Sequence, residues 1–248
     1  MTWRYGTHRG SPAARRPDER GIALIATLVV MVIVAAIGLG LVVTASLEPM
    51  AAANIEAAWD AAFAAEAGIA IAAHELAGLS DWDLALASGA GSSILESSGP
   101  SVELPDGSLR SLDELTNLAM CGHAGPCSAA EATAFTVVHP WGPNNPRWRV
   151  YGHGRLDRLL PGNAAGLPVS VVVWVGDDPA EIDGDPLHDT LPGPGGAWQL
   201  GACVLALRAE AFAGRGGHRA LVATITRPGP DCAAGARLVS LRVEAGTP

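Results

Sequence analysis

The chain has 248 residues, 49% hydrophobic but only 5% aromatic, and a formal net charge of −9. That length suits one ordinary domain with appendages. The acidic balance argues against a general electrostatic affinity for nucleic acid.

All sixteen basic residues are Arg, and they are unevenly spread. Residues 1–21 hold five of them against Asp18 and Glu19; the rest of the chain holds eleven against twenty-three acids. Residues 2–20 are rich in Gly, Pro, Ser and Arg, with no apolar period. They read as an extended basic leader. Ile22–Val43 carries no charge, and 22 residues at ~1.5 Å each reach ~33 Å as a helix, enough for a ~30 Å hydrocarbon core. Arg lies only on the N-terminal flank, and the next one after Arg20 is Arg110. The positive-inside rule therefore predicts a cytoplasmic N-terminus and a periplasmic body.

Three readings fit this apolar run. One is a secretory signal peptide cut after Val43-Thr44-Ala45, although its apolar region is longer than usual. Another is a plain single-span anchor. The third is a prepilin-type signal, cut between Gly21 and Ile22, in which the apolar segment stays on the mature chain.

The helical pattern continues past the span. Residues 50–77 are Ala-rich, with Ile55, Trp59, Ala62, Ile69, Ala73 and Leu76 at intervals of three, four and seven. This spacing predicts one apolar stripe that packs on a following sheet. Pro49 is expected to kink or locally open the helix, and Gly78 to end it. The prediction is one helix of roughly 55 residues.

Arg20-Gly21-Ile22-Ala23-Leu24, the apolar run, and Ala62-Phe63-Ala64-Ala65-Glu66-Ala67-Gly68-Ile69 resemble the N-terminal region of PilX-type minor pilins of type IV pili. The resemblance covers about residues 19–77. It implies cleavage after Gly21 by prepilin peptidase, N-methylation of Ile22, and an assembly helix that includes Ala26, Pro49 and Glu66. Most pilins carry Glu at the fifth position after the cut, where this chain has Ala26. A subunit without that carboxylate cannot pair with a neighbour's charged N-terminus in an apolar filament core. The resemblance then implies a priming or tip role beside other minor pilins, the major pilin and the inner-membrane assembly machinery. A type II secretion tip pseudopilin and a membrane-anchored periplasmic adhesin are the alternative readings.

Beyond residue 78 the chain reads as an exported body, giving the divisions 1–21, 22–78 and 79–248. Ser111-Leu-Asp-Glu114 is a capping-box-like start for a short helix to about Met120. Strands are predicted over 133–139, 147–156, 169–175, 202–212, 220–227 and 237–243. Residues 169–175 are nearly all apolar and are expected to be central. Ala213-Gly-Arg-Gly-Gly217 joins two of the strands as a hairpin turn. A long helix on a mostly antiparallel sheet makes the fold class α+β, in agreement with the pilin resemblance.

Four Cys allow three pairings. Cys121–Cys127 closes a small loop and Cys203–Cys232 ties the ends of the hairpin; these are the expected bonds of an oxidising compartment. Zinc at Cys121, His123 and Cys127 has unsuitable spacing. The acidic loop 177–189 offers Asp177, Asp178, Asp183 and Asp185 as possible Ca²⁺ ligands, though Asp-Gly and Asp-Pro pairs also form ordinary turns. No cofactor is required by the sequence. No nucleophile elbow, phosphate loop or zinc-protease motif occurs, so a non-catalytic function is expected. Arg147, Arg149, Arg155 and Arg158 form a local basic cluster that reads as a solvated strand face rather than a DNA contact.

Overall fold

The computed structural model describes residues 19–87, 90–137, 139–159, 168–181, 183–189, 201–229, 232 and 235–244. Residues 1–18 of the basic leader lie outside them. The chain divides into two compact units, Met1–Ala51 and Ala52–Pro248. Helix α1 (Glu19–Gly78) contributes to both. In the first unit every described side chain from Gly21 to Ala51 is exposed. From Gly21 the helix is long and apolar enough to cross a membrane. The helix runs through Pro49 without interruption.

In the second unit α1 lies on a five-stranded antiparallel sheet, ordered as a simple meander: β3 (Arg149–Arg155), β4 (Val169–Asp177), β5 (Val204–Ala213), β6 (His218–Thr226) and β7 (Arg237–Val243). A second, two-stranded sheet pairs β1 (Ser101–Glu103) with β2 (Leu109–Ser111). The helix-on-sheet arrangement is the expected α+β fold. Short helices α2 (Asp83–Leu86), α3 (Leu112–Cys121), α4 (Ala129–Ala132) and α5 (Leu156–Leu159) fill the connections.

The meander follows from short links. Ala213 leads through the single turn Gly214–Gly216 into β6, with Arg215 at φ 58°. β4 is buried on all nine residues because both its faces are covered. Val171, Val173 and Val175 meet α1 together with Leu205, Leu207 and Ala209 of β5. Val172 and Trp174 face the other way, into a cluster with Val102, Leu112, Leu115 and Ala119 from β1 and α3. The strand pleat sends alternate residues to opposite faces, so a strand covered on both sides reads as continuously apolar. β4 is interior; β5 is the middle strand.

Two expectations need correction. The first is the packing stripe of α1. The expected Ile69 and Leu76 are buried, together with Ala57, Ala61, Ala64, Ala65 and Ala72, whereas Ile55 and Trp59 are about 60% exposed. Small residues let the helix lie close to the sheet. A Cβ on Gly68 would sit 2.8 Å from Val171 Cγ2 and 2.9 Å from Val173 Cγ2, so this point of contact has no room for a larger side chain.

The second is the strand over 133–139: none of its described residues is extended in a sheet. Ser128 and Glu131 form a full capping box that opens α4 immediately upstream. The buried Asn145 amide then donates to Ala132 O and Ala134 O, at 3.2 and 2.9 Å. A side-chain bond thus serves Ala134 O, a carbonyl that a strand would have offered to a partner.

The C-terminal end of α1 is fastened to the sheet. Carbonyls of a helix's last turn lack intrahelical partners. Here Arg227, just past β6, donates to Leu76 O at 2.8 Å and to Leu79 O. Its guanidinium lies 4.4 Å above the Trp82 ring. Trp82 Nε1 also donates to Leu76 O, at 2.9 Å.

Candidate functional site

Two regions carry chemistry that the fold alone does not require. The first is the outward face of α1. At 100° per residue, positions 55, 59, 62, 63 and 66 fall on one side of a helix. Ile55, Trp59 and Phe63 are 59%, 60% and 61% exposed. The Trp59 and Phe63 rings stack with centroids 6.0 Å apart. Glu66 is exposed on the same side. A row of large apolar side chains in water is unfavourable unless something covers it. Gly21 and Ile22 lie in the first turn of the helix, and both are exposed, Ile22 by 68%. Apart from its chain neighbours and the helix's own backbone, no heavy atom of the described residues lies within 4 Å of where a Cβ on Gly21 would stand. Ala26 and Pro49 are exposed as well.

The second region is the acidic connection between β4 and β5. Asp177 is the last residue of β4. The chain turns at once: Ala180 N donates to Asp178 Oδ1 at 3.1 Å, and Glu181 N to Asp178 O at 3.0 Å. This turn brings the Glu181 carboxylate back beside Asp177. One carboxylate oxygen each from Asp177, Glu181 and Asp183 lie within 4.8 Å of one another.

Asp177 is 3% exposed and Glu181 1%, whereas Asp183 is exposed. Burial pushes the Asp177 carboxyl well above the usual range, and the neighbouring Glu181 charge adds to this. Asp189 is likewise pushed up to about 7, by burial first, even though it accepts from Cys203 N at 2.8 Å.

Of the four Asp named from the sequence, the structure groups Asp177 and Asp183, and it adds Glu181. Asp178 and Asp185 lie outside this group; their carboxylates accept from backbone groups two residues ahead, Ala180 N and Leu187 N. Glu181 was passed over because a single Glu among several Asp shows no spacing signal.

The cysteines pair Cys121–Cys127 and Cys203–Cys232, with Cα atoms 5.9 and 5.5 Å apart. His123 sits 3.3 Å from Glu131 rather than with the sulfurs. Within the basic cluster, Arg155 pairs with Glu103 and Asp157 at 3.0 and 2.8 Å, and Arg158 with Glu103 at 3.0 Å. Those carboxylates offset the positive charge that a phosphate backbone would need.

A cavity of about 390 Å³ lies between α3 and the sheet, with Arg208, Glu210 and His218 on its wall. Its charges are mutually satisfied: Arg208 bonds Glu210 and Glu244, both at 2.8 Å, and His218 meets Glu210 at 2.6 Å. Comparison with models of known families, with curated proteins and with solved structures finds no match.

Proposed function

We propose that this chain is a minor pilin that primes or caps a type IV pilus through α1, by packing rather than by catalysis. The observation that carries this reading is the division of labour on the helix. In the first unit its described side chains are exposed, and Ile22–Val43 is an uncharged apolar run. Its second half docks on the chain's own sheet through Ala, Gly68, Ile69 and Leu76, and keeps Ile55, Trp59 and Phe63 outward. A simple anchor has no use for that outward row, because the span alone holds the body at the membrane. A subunit that packs its helix among other helices does, since each apolar side chain is then covered.

The remaining steps rest on the resemblance of Arg20–Leu24 and Ala62–Ile69 to PilX-type pilins. Prepilin peptidase removes residues 1–21 and Ile22 becomes the methylated N-terminus. The N-terminal basic charge keeps that end cytoplasmic, and the body is displayed in the periplasm and then on the pilus. Ala26 offers no carboxylate to a neighbour's N-terminus, which suits a terminal position better than repeated use along a shaft. The partners are other minor pilins, the major pilin and the inner-membrane assembly machinery.

The test is the mass of the protein's N-terminus in cells with and without prepilin peptidase. The expected mature form begins with methylated Ile22 only where the peptidase is present. Retention of residues 1–21 in peptidase-competent cells overturns the reading.

A further inference from the structure

We propose that Asp177, Glu181 and Asp183 form a Ca²⁺ site that fastens the β4–β5 connection to the end of the sheet. The inference does not depend on the filament reading. Three observations converge on it. The first is spacing: the three carboxylate oxygens fall within 4.8 Å of one another. Ca²⁺ binds oxygen at about 2.3–2.6 Å in a flexible shell, so groups this close together can share one ion. Mg²⁺ demands a strict octahedron at about 2.0–2.1 Å and keeps most of its waters, which a three-carboxylate set on a turn suits less well.

The second observation is an unfilled acceptor. Asp177 is 97% buried by the complement of its 3% exposure, and its Oδ1 is enclosed without a hydrogen-bond donor among the described residues. A buried acceptor left this way costs about 1–3 kcal/mol, more when charged, and a cation at the cluster removes that cost.

The third is a rigid frame with one open side. Asn144 Nδ2 donates to Glu181 O. Gly201, at φ 87°, lies so close that a Cβ there would stand 2.7–2.8 Å from Glu181 Cβ, Cα and N. Asp183 Oδ1 accepts from Asp185 N at 2.9 Å, which sets the turn that holds this carboxylate at the mouth. Two ligands are thus held inside and the third is exposed, giving the ion and its remaining waters an entrance. Oxygen-only donors select a hard cation over zinc or copper. Burial and mutual repulsion, which raise the Asp177 carboxyl, act against the same charges that the ion would balance.

The experiment uses the full chain purified in detergent and stripped with EDTA, then titrated with CaCl₂ by calorimetry, with MgCl₂ in parallel. The expected Ca²⁺ dissociation constant is on the order of 10⁻⁴–10⁻³ M, as in extracellular sites, with Mg²⁺ at least about tenfold weaker. Asp177→Asn and Glu181→Gln should each weaken Ca²⁺ at least about tenfold, and Asp185→Asn should leave it unchanged. Thermal unfolding in EDTA runs alongside. Asp177→Asn removes a repelled charge, so it should unfold no lower than the parent while losing the rise that Ca²⁺ gives the parent. If a buried variant fails to fold, the exposed Asp183→Asn carries the same comparison. Two results overturn the proposal: no saturable Ca²⁺ binding by the parent, or binding undiminished in the folded ligand variants. A cluster that only shares a proton would give the first.

Discussion

Replacing Gly68 by Ala tests how α1 is seated on the sheet. In an isolated helix this change is favourable by about 0.8–1 kcal/mol. Here the added Cβ would lie 2.8 and 2.9 Å from the γ-methyls of Val171 and Val173, with Ala209 Cβ at 3.8 Å. Both valines are fully buried on an interior strand, and a β-branched side chain has few rotamers into which to retreat. Helix and sheet must therefore separate by a few tenths of an ångström, and overpacking of this kind costs about 1–3 kcal/mol. The net expectation for Gly68→Ala is a loss of about 1 kcal/mol. For a unit of this size that is roughly 2–4 °C in Tm. Gly68→Leu, with more bulk against the same methyls, should lose at least about 3 kcal/mol. Gly78→Ala is the matched control. It lies on the same helix with nothing within 4 Å, and should be neutral or stabilising by up to about 1 kcal/mol. Urea unfolding of the detergent-solubilised chain, followed by the buried Trp82 and Trp174, measures all three. If Gly68→Ala stabilises as much as Gly78→Ala, the contact with the valines does not set the spacing.

Three further outcomes follow from other contacts. Trp59→Ser with Phe63→Ser should change unfolding by no more than about 0.5 kcal/mol, because both rings are exposed; it should abolish recovery of the chain in sheared pilus fractions. Replacing Cys203 and Cys232 by Ser opens a loop with a sequence separation of 29 and should cost about 3–4 kcal/mol in the chain-entropy account. The Cys121–Cys127 pair, with a separation of 6, should cost only about 2. The Glu210 carboxyl is raised by burial, but the His218 hydrogen bond and Arg208 more than offset this, so it ends below its ordinary 4.5. Its stabilisation is therefore present above about pH 4.5 and lost as pH falls through the lower folded value. Glu210→Gln should flatten the stability–pH curve on that acid limb, as followed by thermal unfolding from pH 6 to pH 3.

Several elements were legible because a local signal matched the tertiary outcome. Ser111 caps α3, its side chain accepting from Glu114 N. The apolar run at Val169 became a strand covered on both faces, and the Gly-rich turn after Ala213 became the β5–β6 link. The β1–β2 hairpin was missed, although Pro105-Asp106-Gly107 between its strands is a turn signal, with Gly107 at φ 84°. Three-residue strands carry too little alternation to register as a period. The stripe on α1 misled for a different reason. Periodicity finds the side with large apolar residues and takes it for the inside. Where the inside face is built from Ala and Gly to allow close approach, Ile55 and Trp59 fall on the other side, while Ile69 and Leu76 are buried as expected. The acidic cluster was half legible: the loop was visible by composition, but which carboxylates converge depends on the turn at Asp178–Glu181.

The placement of bulk on α1 also bears on what kind of assembly the body suits. Beyond the apolar span, large exposed apolar residues among the described residues form two runs. One is Ile55, Trp59 and Phe63 on the helix; the other is Leu238, Val239, Leu241 and Val243 on β7, with a few single residues elsewhere. β7 is exposed along its whole length and pairs only with β6 among the described strands. A closed two-fold dimer needs one self-complementary patch. Two unlike patches, one on a helix face and one on an edge strand, instead suit head-to-tail contact, in which one subunit's surface meets a different surface on the next. Arg237 and Arg242 interrupt the β7 edge with charge, which discourages indiscriminate strand pairing. On α1 the exposed Glu56 borders the row, about 20° from Phe63 around the helix. Under the filament reading both patches are contact surfaces, and the charge beside each restricts which partner surface fits it.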